Sequence, residues 1–217
     1  RTIGGNVDGG ADTDTLDLGA YLTNVDFTIS GSGVSGLTGS TSANPVVPDP
    51  NPVAGTFDNI DSLVSDSTGG STLTGADTDN TWNIDGADSG TLNGAAFSGI
   101  ANLVGQTKVD TFNIGLAGTL SGNISGGTGS DEITQADGIN TWNITNTDAG
   151  DVDDLGGTFS GIENLTGGSG ADTFEISGGN LTGNLSGAAG DDNFVFSDTR
   201  TIGGNVDGGA DTDTLDL

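Results

Sequence analysis

The chain has 217 residues, including 41 glycines and 31 Asp or Glu but only three Lys or Arg, so its formal net charge is −28. Three cations cannot supply the basic surface that nucleic acid or an anionic membrane requires, and no apolar run approaches the ~18 residues of a membrane span, so we expect no nucleic-acid partner and no membrane insertion. The absence of His and Cys excludes Ser-His and Cys-His catalysis and the usual zinc centres.

The first eighteen residues are repeated at the end of the chain. Residues 1–18 and 200–217 both read RTIGGNVDGGADTDTLDL, an offset of 199 residues. Chance does not produce such an identity, and a deliberately duplicated end is the alternative explanation. We therefore expect residues 1–217 to form one continuous segment, which is a 199-residue tandem unit plus the first 18 residues of the next copy.

A shorter repeat of about 20 residues runs between these ends. Each repeat carries a polar residue, usually Asn, followed by an apolar residue, and a second apolar position follows 8 to 11 residues later. Short alternating apolar segments separated by Gly, without a 3.6-residue pattern, predict an all-β fold: a right-handed parallel β-solenoid of about nine coils per unit. The first set of inward positions is Val7, Ile29, Leu63, Ile84, Leu103, Ile124, Ile144, Leu165, Leu185 and Val206, and the second is Leu16, Leu37, Leu73, Leu92, Phe112, Ile133, Leu155, Phe174, Phe194 and Leu215.

This alignment makes specific predictions about neighbours in space. Leu165, Leu185 and Val206 must stack in that order, and Trp82 and Trp142 should fill the core. We expect the Asn residues before the first apolar set to form amide hydrogen bonds from coil to coil. These residues are Asn6, Asn83, Asn102, Asn123, Asn143, Asn164, Asn184 and Asn205.

Residues 38–53 interrupt the repeat. The interval from Ile29 to Leu63 is longer than the others, and it contains all four prolines of the chain. Because Pro cannot donate to a ladder of backbone hydrogen bonds, residues 38–53 are predicted to be a Pro-rich loop inserted into one coil.

Glycine-rich acidic turns separate the two apolar positions of several repeats. Residues 126–133 (GGTGSDEI) and 167–174 (GGSGADTF) match G-G-x-G-x-D-x-apolar, and residues 187–194 and 208–215 each depart at one position. These turns resemble the calcium-binding repeats of the repeats-in-toxin family, which implies that Ca²⁺ is held between stacked turns by backbone carbonyls and the Asp carboxylate. The residues that the resemblance assigns to the metal are Asp14, Asp110, Asp131, Asp153, Asp172, Asp192 and Asp213, with Gly127, Gly129, Gly168, Gly170 and Gly190.

The spacing of the turns differs from that of the family. Family repeats follow one another every nine residues and place metal on both edges, whereas turns about 20 residues apart place a single row on one edge. Stacked carboxylates repel one another and need cations, protons or exposure to water. Two interpretations remain open at this point: a row that binds Ca²⁺, and a row that faces solvent and keeps the protein soluble.

The resemblance extends to giant secreted bacterial repeat proteins. It implies a structural, non-enzymatic segment of an extracellular filament, adhesin stalk, sheath or matrix protein at the cell surface, whose partners are adjoining copies end to end, with lateral association as a further option. One alternative is a β-helix glycan-processing enzyme that uses clustered acids such as Asp151, Asp153 and Asp154. Another is a flat-face module that binds sugar or ice.

Overall fold

The computed structural model describes residues 2–21, 23–33, 35–43, 51–66, 70–136 and 138–217. These residues form strands and turns, and none of them belongs to a helix long and apolar enough to cross a membrane. The strands are β1 (Val7–Asp8), β2 (Thr15–Asp17), β3 (Val25–Gly33), β4 (Gly36–Ala43), β5 (Thr56–Ile60), β6 (Ser62–Val64), β7 (Thr72–Thr74), β8 (Asn80–Gly86), β9 (Ser89–Leu92), β10 (Ala95–Ser98), β11 (Asn102–Gln106), β12 (Asp110–Ile114), β13 (Ile124–Gly127), β14 (Glu132–Gln135), β15 (Thr141–Asn146), β16 (Ala149–Val152), β17 (Phe159–Ser160), β18 (Asn164–Gly168), β19 (Thr173–Ile176), β20 (Leu185–Ala188), β21 (Asn193–Phe196), β22 (Val206–Asp207) and β23 (Thr214–Asp216).

The strands form two large sheets that are mostly parallel, so the predicted all-β solenoid class is confirmed. Among the described residues, sheet A has 13 strands in the order β1-β5-β4-β3-β7-β11-β13-β17-β16-β15-β19-β21-β23. Sheet B has 10 strands in the order β2-β6-β10-β9-β8-β12-β14-β18-β20-β22. The chain passes back and forth between the sheets, and the apolar side chains of both inner faces form one core.

The predicted stacking at the C-terminal end is confirmed. Leu165 pairs with Leu185, and Leu185 pairs with Val206, in parallel register within sheet B. In sheet A, Phe174 pairs with Phe194, and their rings stack with centroids 5.1 Å apart. Residues about 20 positions apart therefore lie on top of one another in this part of the chain, as parallel strands require.

Elsewhere in the described part of the chain, three antiparallel meanders change the register. Strands β3–β5, β8–β10 and β15–β17 each run up, down and up again within a single sheet. Residues of adjacent coils are consequently separated by 30, 35 or 47 positions across the meanders, as hydrogen bonds of Asp110, Thr158 and Asp14 show. The prediction of a uniform spacing of about 20 residues is wrong in this region, because a meander adds two strands to a coil.

The meanders also mix the two predicted apolar sets. Ile84 was expected to stack beneath Leu103, but Ile84 lies in β8 of sheet B and Leu103 in β11 of sheet A. Sheet B instead aligns Phe112 and Ile133 of the second set with Leu165 of the first set. The two sets therefore exchange sheets along the chain, although nearly all of their members are buried as predicted.

The segment predicted as a Pro-rich loop begins as a strand. Residues 38–43 belong to β4, which pairs antiparallel with β3, and residues 44–50 lie outside the described residues. Val53 is buried and forms a parallel bridge with Ile3. The described parts of this segment are thus tied into the end of the solenoid.

Both tryptophans fill the core, which confirms their predicted role. Trp82 and Trp142 are fully buried. Trp82 stacks on Phe112 with ring centroids 5.5 Å apart, and Trp142 stacks on Phe174 at 5.7 Å. Such pairs add about 0.5–1.5 kcal/mol to the free energy gained by burying their area.

The predicted Asn ladder is present in two stretches. The N–H of Asn123 donates to Oδ1 of Asn102 at 3.0 Å. The N–H of Asn184 donates in the same way to Asn164, and that of Asn205 donates to Asn184, each at 3.0 Å. The other members bond to different side chains or backbone groups, as when Asn6 accepts from Thr56, because a meander places a different residue in the next coil.

Candidate cation-binding turns

The acidic turns lie on two edges of the solenoid. Edge 1 is where the chain passes from sheet A to sheet B, and it carries Asp110 at the start of β12 and Asp131 just before β14. Edge 2 is where the chain passes from sheet B to sheet A, and it carries Asp172, Asp192 and Asp213. The expectation of one continuous row on one edge is wrong, because the meander β15–β17 adds strands without a change of sheet and moves the motif across.

On each edge the aspartates link one coil to the next. The backbone N–H of Asp110 donates to Oδ1 of Asp131 at 2.8 Å on edge 1. On edge 2 the N–H of Asp172 donates to Oδ1 of Asp192 at 2.8 Å, and the N–H of Asp192 donates to Oδ1 of Asp213 at 3.1 Å. We call these two series the Asp ladders, and each bond in them is a charge-assisted contact between coils.

Three further polar residues bond to the terminal aspartates of the Asp ladders. The spacing of the acidic motif did not predict these three residues. On edge 1 the Nδ2 of Asn80 donates to Oδ1 of Asp110 at 2.6 Å, and the N–H of Asp131 donates to Oε2 of Glu163 at 2.8 Å. On edge 2 the N–H and Nδ2 of Asn140 donate to Oδ1 of Asp172 at 2.7 and 2.8 Å.

The sequence does contain a signal for the two asparagines. Residues 80–84 and 140–144 both read NTWNI, which resembles DTFNI at 110–114 and DTFEI at 172–176. Aligning the tryptophans with the phenylalanines of the other pentapeptides places Asn80 and Asn140 in the Asp position. An Asn in that position still donates to Oδ1 of the Asp in the next coil, through Nδ2 at Asn80 and through both N–H and Nδ2 at Asn140, and it carries no charge.

Four aspartates of the Asp ladders are buried, and one carboxylate oxygen of each has no hydrogen-bond partner. Asp110, Asp131, Asp172 and Asp192 are at most 1 % exposed, and their Oδ2 atoms accept no hydrogen bond. Burial raises the pKa of Asp110 and of Asp172 to about 6. It is also the main cause of the raised pKa of Asp131 and of Asp192. A carboxylate in this position is therefore incompletely stabilised in its charged form.

A glycine five residues earlier makes room for each buried Oδ2. A Cβ on Gly105 would collide with Oδ2 of Asp110 and would lie 2.7 Å from the carbonyl oxygen of Gly126 in the next coil. A Cβ on Gly187 would meet Oδ2 of Asp192 and the carbonyl oxygen of Gly208 in the same way. A carboxylate oxygen and a carbonyl oxygen thus lie within 3 Å of the same Cβ position, and the carboxylate oxygen has no hydrogen-bond partner, which favours a cation or a proton at this place.

The glycines that the resemblance assigned to the metal allow the coils to approach closely. At each of them a Cβ would strike a backbone oxygen of the adjacent coil, as Gly129 would strike Lys108 and Gly170 would strike Gly138. The other three also adopt positive φ, which favours glycine. They are Gly127 (φ 104°), Gly168 (φ 112°) and Gly190 (φ 120°).

No family model and no curated protein matches this chain.

The remaining predicted metal residues lie in different surroundings. Asp153 is exposed, and its Oδ2 accepts the N–H of Thr141 at 2.9 Å, so the structure places it outside both Asp ladders. Asp14 is half-buried at edge 1 and donates its N–H to Oδ2 of Asp61 at 2.9 Å, while its own Oδ2 has no partner. Asp213 is exposed at the last coil.

The acids considered as a glycan-hydrolysing cluster hold the third meander in place. Oδ1 of Asp151 accepts from Nδ2 of Asn143 at 2.7 Å, and Oδ2 of Asp154 accepts from Nε2 of Gln135 at 3.3 Å. Within the described ranges no three acidic side chains converge closely enough to hold a metal ion by themselves. A bound cation would need backbone oxygens as well.

The donor chemistry of the Asp ladders fits such a cation. Ca²⁺ takes six to eight oxygen ligands, including carboxylates and backbone carbonyls. Both kinds of oxygen face one another on the two edges, and the buried Oδ2 atoms lack any other partner.

Proposed function

We propose that the chain is a structural segment of an extracellular tandem-repeat rod, in a filament, adhesin stalk, sheath or matrix protein, and that Ca²⁺ stabilises its acidic turns. The coil-to-coil bonding of the acids is the observation that carries this proposal. Asp110, Asp131, Asp172 and Asp192 bond to the adjacent coil instead of converging on a cleft, which is the arrangement expected of a scaffold.

The calcium proposal follows from the unpartnered oxygens. Burying a charged carboxylate oxygen without a donor is costly, and the cost recurs in every acidic coil. Calcium would be held by the Oδ2 atoms of Asp110 and Asp131 on edge 1 and of Asp172, Asp192 and Asp213 on edge 2, together with glycine carbonyls of the adjacent coil. The metal supplies positive charge, and extracellular modules commonly bind it at 10⁻⁴–10⁻³ M.

The open ends of the sheets support an array of copies. Each coil contacts only its neighbours, so stability is close to a sum over adjacent coils. At the last coil Val206 is 38 % exposed and Leu215 is 56 % exposed, although the equivalent positions of earlier coils are buried. A further copy stacked on this end would bury both side chains.

The experiment is a calcium titration of the metal-free chain. We expect the β signal in far-ultraviolet circular dichroism and the urea midpoint to rise with CaCl₂ and to rise much less with MgCl₂ or KCl. Negative-stain micrographs should show elongated particles. Asp172→Asn should weaken the calcium response, and Asp153→Asn, which removes an exposed charge outside the Asp ladders, should leave it unchanged.

Two results would contradict the proposal. A urea midpoint that is the same with chelator and with CaCl₂ would remove calcium from it. Equal responses of the Asp172→Asn and Asp153→Asn variants would show that calcium acts on the overall negative charge and not at the ladders.

A further inference from the structure

The same eighteen residues occupy opposite sheets at the two ends of the chain. In the first copy β1 belongs to sheet A and β2 to sheet B. In the second copy β22, which repeats β1, belongs to sheet B, and β23, which repeats β2, belongs to sheet A. The two copies are therefore out of phase by half a coil.

The strand contacts of the two copies are complementary. In the first copy Val7 pairs with Phe57 of β5, and Leu16 pairs with Leu63 of β6. In the second copy the equivalent residues pair on their other side, with Leu185 of β20 and Phe194 of β21. Leu16 is only 6 % exposed, whereas the equivalent Leu215 is 56 % exposed because nothing covers its outer side.

The side-chain hydrogen bonds are complementary in the same way. The N–H of Asp14 donates to Asp61, whereas the equivalent Asp213 uses its Oδ1 to accept from Asp192. Oδ1 of Asn6 accepts from the N–H of Thr56 at 3.2 Å. The equivalent Asn205 uses its N–H to donate to Asn184 at 3.0 Å. None of these donors and acceptors is used in both copies. One copy inside an array could therefore form the hydrogen bonds to the preceding coil and those to the following coil at the same time.

We infer that the open face formed by β22 and β23 binds residues 56–64 of the next 199-residue unit, which we call the second copy from here on. Strands that lie in sheet A in one unit then lie in sheet B in the next, and the reverse. The inference rests on the tandem array proposed above. The occupant is chosen because the same eighteen residues already bind residues 56–64 at the other end. In the array, β5 of the second copy pairs with β22 in sheet B, and β6 pairs with β23 in sheet A.

The rod then repeats every two copies. The meander β3–β5 lies in sheet A of one copy and in sheet B of the next, so equivalent surface residues face opposite sides in successive copies. The Asp ladder of edge 2 continues from Asp213 into Asp61 of the second copy.

Disulfide mapping across the junction tests this arrangement. The chain has no cysteine, so it can be extended by placing residues 1–199 before the complete sequence and adding two cysteine pairs. One pair, Ser186→Cys and Asp207→Cys, joins the shared eighteen residues to the first copy. The other pair, Asp216→Cys and Val64→Cys of the second copy, joins them to the second copy, in the register of Asp17 and Val64.

Controls in the 217-residue chain use each pair alone, as Ser186→Cys with Asp207→Cys and as Asp17→Cys with Val64→Cys. Mass spectrometry of the proteolytic digest measures the fraction of molecules that form each disulfide. We expect the extended chain to form both disulfides in the same molecules, each to the same fraction as in its control. Molecules with only one of the two disulfides would overturn the sheet exchange while both copies remain solenoids. Failure of both controls would overturn the proposed rod as well.

Discussion

The backbone N–H of Asp172 donates a 2.8 Å hydrogen bond to Oδ1 of Asp192, which lies 20 residues later in the next coil. Oδ1 of Asp172 itself accepts the N–H of Asn140 from the previous coil at 2.7 Å. Asp172 thus connects three successive coils. Because it is buried, water cannot replace a hydrogen bond that a substitution removes, so the effect on the free energy of unfolding can be measured.

Removing the acceptor at position 172 should destabilise the protein. Asp172→Ala leaves the buried N–H of Asn140 without an acceptor, which costs about 1–3 kcal/mol. Asp172→Asn keeps an acceptor oxygen and also lacks the charge, so the difference between the two variants isolates the hydrogen bond. Urea unfolding in metal-free buffer measures it. At the exposed Asp85 the same pair of variants should differ by less than about 0.5 kcal/mol, and an equal difference at both positions would contradict the role of the Asp ladder.

Stability without calcium should fall as the pH rises from about 4 to 6. The pKa of Asp110 and of Asp172 is about 6 in the folded chain and 3.8 in the reference state. In this window the unfolded chain releases protons that the folded chain retains, so the free energy of unfolding decreases by about 2 kcal/mol for each group, out of an upper limit of about 3 kcal/mol over the whole titration. The free energy of unfolding should level off about one pH unit below 3.8 and about one unit above 6.

Urea titrations at intervals from pH 3.5 to 7 measure this slope. The double variant Asp110→Asn/Asp172→Asn should reduce this slope, and the raised pKa of Asp131 and of Asp192 should account for part of what remains. The control Asp85→Asn/Asp153→Asn removes the same number of charges from exposed positions and should keep most of the slope. If both double variants flatten the curve equally, general charge repulsion is the cause and the buried pair is not.

A methyl group at Gly170 should separate two coils. Its Cβ would overlap the carbonyl oxygen of Gly138, and backbone on both sides prevents an easy adjustment. We expect Gly170→Ala to lower the free energy of unfolding by about 1–3 kcal/mol or more. Gly31→Ala is the matched control, because nothing lies within 4 Å of its Cβ position. A Gly170→Ala variant as stable as the control would contradict the close approach of these turns.

Truncating a stacked aromatic should cost more than any surface change. Trp142 is fully buried between Phe159 and Phe174, so Trp142→Ala should lower the free energy of unfolding by about 3–5 kcal/mol. Leu116→Ala provides a control at a side chain that is 79 % exposed. The fluorescence of Trp82 still reports unfolding in both variants. A loss below about 1 kcal/mol for Trp142→Ala would show that the stack contributes little.

The sequence predicted the class of fold and most of the core, because burial follows the alternation of apolar and polar residues within each strand. Leu165, Leu185 and Val206 stack as expected. The register was wrong wherever a meander occurs. A strand of a meander has the same alternation as any other strand, so periodicity alone cannot show which sheet it joins.

One local signal for a meander was present in the sequence. Asn93 and Gly94 have φ of 50° and 92° and connect β9 to β10, and an Asn-Gly pair between apolar segments is a strong indication of a tight hairpin. Such a hairpin returns the chain to the same sheet. Recognising it would have moved Trp82 beside Phe112 and Asn80 into the Asp ladder.

The hydrogen bonds of the Asp and Asn ladders run along the length of the stack, from coil to coil. Tension applied to the two ends of the stack would therefore act along these hydrogen bonds. Because each coil is held only by its neighbours, coils would detach one at a time from an end. A detached coil of 20 residues releases about 70 Å of extended chain. In the rod proposed above, tension would therefore be expected to lengthen the chain in steps of about one coil.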